Sequence, residues 1–474
     1  MSTFHGLEMA KQALFAQQSA LYTTGHNISN ANTEGYSRQR VNFETRNPYP
    51  SGSRNRPQIP GQLGTGVQAG SVQRIRNEFL DVQFRGENGK SGYWEAKAEA
   101  LSRLETVLNE PSESGLSKTM DQFWQSLQDL AANPEKDSGV RSVVFQRGKT
   151  AADTFNYLSN SLNTIRGDLK SQMDTTIKDA NSLMEQIHNI NEQVRQVEAH
   201  GLLANDLYDE RDRLIDELSG IINIKVTKDS SSESSLDMAD GLATIEVLDG
   251  VGNPIATLVD GKAGSFNKIA VSFEGNGEDE TISFLEIGGI SIKGANGSGS
   301  LKGLVESYQD IYPQMLSRLN TMAYEFAEAF NQIHNDFFVV EKDKAAGNLI
   351  VGLDSSDDIV ASEDNNDGNI ASQLADLFEK KLPGLEGKSV KGYFQSMIGE
   401  LGVEAQQANR MKDNTVILRS QVENQRLSVS SVSLDEEISN MIKFQHAYNA
   451  AARSMTAIDE MIDKIINSMG LVGR

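Results

Sequence analysis

The stretch SLDEEISNMIKFQHAYNAAARSMTAIDEMIDKIINSM, residues 433–469, repeats its apolar residues in sevens. Leu434, Met441, Tyr448, Met455, Ile462 and Met469 form one line, and Phe444, Ala451, Ile458 and Ile465 form a second beside it. Two such lines are the mark of a helix that packs lengthwise on another helix. Ser433 followed by Glu436 gives a capping-box start. Met and Ala stand where Leu and Ile would make a tight zipper, so the seam is adaptable.

The other end of the chain answers it. Leu7, Leu14, Leu21 and Ile28 recur in sevens, with the small residues Ala10, Ala13 and Ala20 beside them. That periodicity predicts one amphipathic helix over the first thirty residues. An Asn-rich exit follows, with Asn27, Asn30, Asn32, Gly35 and Tyr36; Asn and Gly accept the left-handed conformations that stop a helix. Residues 37–70 contain Arg, Pro and Gly without helical period and read as an extended arm with short strands. Neither terminal stripe has a partner in its local sequence, so the simplest pairing sets one against the other. A two-helix unit has little core of its own and is marginal in water. Such ends are expected to become ordered when copies pack side by side, which makes the two lines of sevens the candidate assembly interface.

Between the ends the pattern is helical. From Phe155 to Val197 apolar residues recur at threes and fours, predicting a helix over 139–199, roughly 90 Å long at 1.5 Å per residue. Gly167 inside it is a candidate bend. Shorter helices are expected over 92–108, 115–131, 203–219, 302–334 and 402–430. Between Ile221 and Ser300 the text changes to short β-like runs divided by Gly, Asn, Asp and Ser. The expected fold is mainly α with an inserted β domain: coiled-coil N- and C-terminal helices, a long antiparallel helical rod, and a small antiparallel β insertion. The expected units are residues 1–65 with 431–474, residues 66–222 with 301–430, and residues 223–300.

Charge excludes several functions. There are 44 Lys plus Arg against 66 Asp plus Glu, a net charge of −22, which disfavours broad binding to nucleic acid or anionic membrane. The charge is polarised: residues 227–300 hold 4 basic and 12 acidic side chains, residues 341–380 hold 3 and 10, whereas residues 1–86 hold 9 and 5. Cysteine is absent, so disulfides, thiolate metal sites and cysteine nucleophiles are excluded. Six scattered histidines leave no metal cluster. No apolar run reaches the ~18–20 residues of a membrane span, and Lys11, Gln12, Gln17 and Gln18 interrupt any secretory h-region. The chain is expected to be cytosolic or to leave the cell by a route without such a signal.

Three ligand patterns nearly appear. Pro383–Ser389 resembles the end of a phosphate-binding loop, but Leu382 stands where its first glycine belongs. Residues 363–374 resemble an EF-hand calcium loop, but Glu363 holds position one and Leu374 the place of the bidentate glutamate, so an Asn/Asp-rich turn is the better reading. Gly297-Ser-Gly299 and Gly303 have the wrong spacing for a dinucleotide loop and read as a hinge. No Ser-His-Asp or HExxH arrangement is present. No catalytic residue, cofactor or metal is assigned, and the chain is read as a non-enzyme.

Four stretches carry a family resemblance. Residues 27–39, NISNANTEGYSRQ, are similar to the signature shared by the rod, hook and hook-associated proteins of the bacterial flagellum. Asn205 to Asp212 with Leu214, Leu218 and Ile222, Gly303 to His334, and Ser433 to Met469 resemble the long helices and terminal helix of the hook-associated protein 1 family. The resemblance covers both ends and most of the rod; the β insertion shares least. It implies terminal helices forming an inner tube, a rod forming the surrounding wall, and an outward insertion. It also implies assembly with further copies of the chain, with hook protein and with the second junction protein, hook-associated protein 3. A cytosolic export chaperone is implied on residues 434–469, with export through the flagellar apparatus to the hook–filament junction outside the cell. The alternatives are a hook or rod subunit, or a secreted calcium-binding adhesin.

Overall fold

The computed structural model describes residues 3–50, 61–108, 115–134, 138–275, 280–292, 297–362 and 368–468. Its axis is the chain's longest helical pattern. After α1 (Thr3–Ser29), β1 (Gln39–Thr45), β2 (Val67–Arg74), α2 (Glu78–Leu108) and α3 (Leu116–Ala132) comes α4 (Ser138–Glu198), a single helix of 61 residues. Leu158, Leu162, Leu169, Met173 and Ala180 repeat on its buried face. Gly167 does not interrupt the helix; a Cβ there would meet open space.

The chain reverses at Gly201 (φ +71) into α5 (Asn205–Ile221) and then enters seven strands. β3 (Ile224–Asp229), β4 (Leu242–Leu248), β5 (Pro254–Asp260) and β6 (Ser265–Phe266) form one antiparallel meander. β7 (Ile269–Glu274), β8 (Thr281–Ile287) and β9 (Ile290–Ile292) form a second sheet. α6 (Ser300–Glu306), a wide turn over Ser307–Ile311 and α7 (Tyr312–Asn331) return along α4. A small lobe follows: β10 (Phe338–Val339), α8 (Ala345–Asn348), β11 (Ile350–Val351) and α9 (Asn369–Asp376). α10 (Val390–Ser430) then runs antiparallel to α2, and α11 (Leu434–Ser468) ends the described chain. The fold is mainly α with a β insertion, as the periodicities imply.

The hydrophobic core runs from Ala96 to Ala408 and draws no side chain from α1, β1, β2 or α11. Its densest part stacks Phe123 among Phe326, Phe330, Phe337, Phe338 and Phe378, with ring centroids 5.5–6.4 Å apart. Helices also hold strands by a repeated device. The amides of Asn27, Asn181, Asn191 and Asn331 each accept from the N–H and donate to the C=O of one strand residue: Gln39, Ile269, Ala243 and Phe338. The eight bonds measure 2.7–3.1 Å. A side-chain amide has the donor and acceptor of a neighbouring strand, so each clamp satisfies backbone groups that the sheets leave open.

Two near-motifs resolve into structure. Ser389 caps α10, accepting from the Gly392 N–H at 3.2 Å, and Lys388 pairs with Glu386 at 2.8 Å. Leu374 is fully buried in the core, while residues 363–367 of the calcium-like loop lie outside the described residues. Gly299 (φ +115) lies against the Ile221 carbonyl where the insertion begins and ends, which is a close backbone crossing. Among the described residues no His/Asp/Glu group could hold a metal ion, and no helix is long and apolar enough to cross a membrane.

Candidate assembly interface and the joint beneath it

α1 and α11 pack antiparallel. Gly6 faces Ile458, with a built Cβ 3.2 Å from its Cδ1, and the Asn27 amide donates to Glu437 Oε2 at 3.2 Å. Both pairs of numbers sum to 464, so steps of seven bring Ala13 opposite Ala451 and Ala20 opposite Phe444. The closest seam is therefore Gly6, Ala13, Ala20 and Asn27 against Glu437, Phe444, Ala451 and Ile458. Small residues on α1 let the two backbones approach, and Phe444 and Ile458 of α11 fill over Ala20 and Gly6.

The Leu7, Leu14, Leu21, Ile28 line lies one residue round from that seam and is half-buried. Met441, Tyr448, Met455 and Ile462 are likewise half-buried, Leu434 is exposed, and Met469 lies outside the described residues. The only fully buried side chain among the described residues of α11 is a carboxylate, Glu437. Leu434, Ile438, Ile442, Met461, Ile465 and Ile466 are 44–68 % exposed. On α1, Phe4, Phe15 and Tyr22 also face solvent. α11, a helix of 35 residues, thus has one apolar side half-covered and others bare.

The Asn-rich exit sets how this pair leaves the rest of the molecule. Asn27 also accepts from the Tyr36 hydroxyl at 2.8 Å, closing the chain back on α1. Asn30 donates to the His26 carbonyl at 3.1 Å, and Asn32 is exposed. Gly35 takes φ +79 with the Arg213 side chain packed beneath it. Arg38 reaches Glu436 at 2.6 Å and Glu437 at 2.8 Å, so Glu436, expected to close a capping box with Ser433, is engaged in an ion pair.

Below the exit lies a stripe of aspartates on α5. Asp206, Asp209, Asp212 and Asp216, at steps of three, three and four, share one helix face. Asp206 accepts from Gln39 Nε2 at 2.7 Å, and Asp209 accepts from the Ser37 N–H at 2.9 Å. Arg74 binds Asp209 at 2.7 Å, Asp212 at 3.0 Å and Asp240 of the insertion. Arg76 binds Asp81 at 3.0 Å and Asp212 at 3.2 Å, and Arg85 binds Asp212 at 3.2 Å and Asp216 at 2.8 Å. Arg426 of α10 closes the cluster on Asp216 and stacks on Phe84, 4.1 Å from its centroid. Burial opposes ionisation of Asp212, yet Arg76, Arg74, Arg85 and Arg211 hold its pKa well below the usual carboxylate range. The aspartate spacing was readable in the sequence; its four arginine partners, brought in by β2, the following turn, α2 and α10, were not.

Known proteins resemble the chain along its length. The profile described as "Flagellar hook-associated protein FlgK helical domain" matches residues 101–350. Flagellar hook-associated protein 1 of Bacillus subtilis (strain 168) is 44 % identical over all of both chains. The chain belongs to the flagellar hook-associated protein 1 family. It is a structural component of the bacterial flagellum at the hook–filament junction. The relative from Escherichia coli (strain K12) is 23 % identical over 97 % of this chain and 98 % of its own, and that from Salmonella typhimurium is 27 % identical over 78 % and 63 %. The solved structure of the flagellar hook junction protein FlgK from Burkholderia pseudomallei shares the fold, with a TM-score of 0.62 at 12 % identity over 74 % of this chain and 100 % of that one. Profiles of flagellar basal body rod proteins match only the ends, residues 7–36 and 423–469. In this family member the shared terminal signature is therefore the seam helix α1 with its exit, and the end of α10 with α11.

Proposed function

We propose that this family member is a non-enzymatic adaptor that joins hook to filament by continuing a tube of terminal helices. The observation that carries the reading is α11, whose one fully buried side chain among the described residues is Glu437 while six large apolar side chains face solvent. Neighbouring copies covering Leu7, Leu14, Leu21 and Ile28 on one helix, and the Leu434–Met469 line on the other, would give both the missing core. Because β2 pairs with β1 and packs on α1, the tube is taken as residues 1–74 with 431–474 rather than ending at 65, with residues 78–222 and 301–430 as its wall and residues 223–300 as the outward acidic surface. Hook protein lies on one side of this ring and hook-associated protein 3 on the other. Before export through the flagellar apparatus to the cell exterior, a cytosolic chaperone shields residues 434–469.

Ile442→Asp with Ile466→Asp changes side chains that are 51 % and 68 % exposed, so the monomer's stability is expected to stay the same while assembly on hooks is lost. Deleting residues 434–474 is expected to leave a folded monomer that likewise no longer assembles. Filament growth supported by either variant sinks the mechanism. The sibling reading, a hook or rod subunit, is favoured only by the terminal profiles, which the full-length similarity outweighs. The adhesin reading lacks its twelfth-position ligand, since Leu374 is packed in the core.

A further inference from the structure

α10 changes character part-way along. Up to Asp413 its exposed positions carry charge, with Glu404, Arg410 and Asp413 among them, as a solvated helix face usually does. From Asn414 to Val429, about 24 Å of helix at 1.5 Å per residue, no exposed position is charged. Ile417, Leu418, Leu427 and Val429 are 39–63 % exposed there, and the other exposed positions are Asn, Gln or Ser. The three charged side chains of the stretch turn away from this face. Arg419 donates to Asn88 Oδ1 at 3.3 Å, Glu423 pairs with Arg426 at 2.8 Å, and Arg426 binds Asp216. Val416, Ile417, Ser420, Gln421 and Asn424 line a shallow groove on the outer side. Residues 431–433 lead from this face into α11.

We propose that this charge-free face of α10 is a contact between copies of the chain in the wall of the assembly. Charge tells which partner it fits. Each copy has a net charge of −22, so two copies repel wherever their acidic surfaces meet. A basic partner is met best by an acidic face, which this chain offers in plenty. A face stripped of charge is the better choice only against a partner of the same sign, and a second copy is that partner. Amides and hydroxyls also lose less than ionised groups on leaving water, and they can hydrogen-bond across a seam. The four exposed aliphatic side chains supply apolar area whose burial drives the contact. That copies assemble at all belongs to the adaptor reading, on which this inference rests; the contact lies in the rod rather than in the terminal helices.

The photo-crosslinker p-benzoylphenylalanine, placed at Ile417 in flagellated cells that make this chain, tests the contact when intact flagella are irradiated. The expected product is an adduct of twice the chain's mass that contains this chain alone. If the Ile417 variant is not built into flagella, the probe at exposed Gln425 carries the same reading. Adducts with another flagellar protein overturn the proposal, as does the lack of any adduct from a chain that is incorporated. A second variant, Leu418→Glu with Gln425→Glu, restores charge at two exposed positions. It is expected to lower the amount of the chain on hooks by roughly tenfold or more through like-charge repulsion, with the circular dichroism and melting of the monomer unchanged. Undiminished incorporation overturns the proposal. Absence of the native chain from flagella sinks the adaptor reading and this inference with it, an outcome distinct from incorporation without the adduct.

Discussion

His334 is a buried imidazole whose two nitrogens have different partners. Nε2 accepts from the Val360 N–H at 2.9 Å, so the ring proton sits on Nδ1, which lies 3.2 Å from the Asn335 carbonyl. Burial pushes its pKa below the ordinary value, against the pull of its carbonyl contacts. The unfolded chain therefore takes up this proton first as pH falls. Stability contributed by neutral His334 is complete above the unfolded pKa of about 6.5 and declines below it, by up to about 1.4 kcal/mol per pH unit until the folded ring protonates. Urea midpoints compared at about pH 7.5 and about pH 5.5 are expected to fall for the native chain, and to fall less for His334→Gln, whose amide oxygen can replace Nε2. An equal fall in both removes His334 as the cause. Nothing in the local sequence around His334 marks this role, since Val360 is 26 residues away. The clamps made by Asn27 and Asn191 are hidden for the same reason.

Elements were far more legible than contacts. The helix expected over 139–199 is Ser138–Glu198, and that expected over 203–219 is Asn205–Ile221. Their apolar spacing is local information, and burial on one face suffices to fix them. α2 and α10 start well before their expected limits at 92 and 402, at Glu78 and Val390: the first turns of α2 expose Phe79 and Val82 and carry Gly86 and Gly89, whereas Val390, Tyr393, Phe394, Met397 and Leu401 give α10 a buried helical spacing that the expected limit left out. β5, whose opening Pro254 argues against a central strand, and the two-residue strands β10 and β11 of the lobe after α7 were not foreseen; tertiary packing decides them. On the terminal helices, the bulky Leu7 line drew attention although the seam runs through Gly6, Ala13 and Ala20, a heptad of small residues easily read as filler. Glycine shows the same dependence on neighbours. A Cβ on Gly303 of α6 would come within 2.8 Å of the Tyr93 carbonyl, and α2 backbone cannot yield cheaply. Gly303→Ala is expected to cost roughly 1–3 kcal/mol by overpacking, whereas Gly167→Ala, in open space within α4, is expected to gain about 0.5–1 kcal/mol. Chemical denaturation of the two variants checks the pair; the same sign in both would show that the crossing of α6 on α2 is not tight.

At the scale of the whole molecule, α4 does more than separate the two ends. Asn181 and Asn191 hold strands 88 and 52 residues further along the chain. A helix relaxes within about a microsecond, while contacts across such separations wait on loop closure. α4 is thus a ruler laid down first, against which each sheet finds its register, and the outer β layer is the last to set. In pulse-labelled refolding, the amides of α4 are expected to gain protection before those of Ala243 and Ile269, and the reverse order would exclude templating. A chain emerging from its N-terminus has its ruler complete before the first insertion strand appears. Open strand edges, the usual start of misassociation between copies, then have only a brief existence.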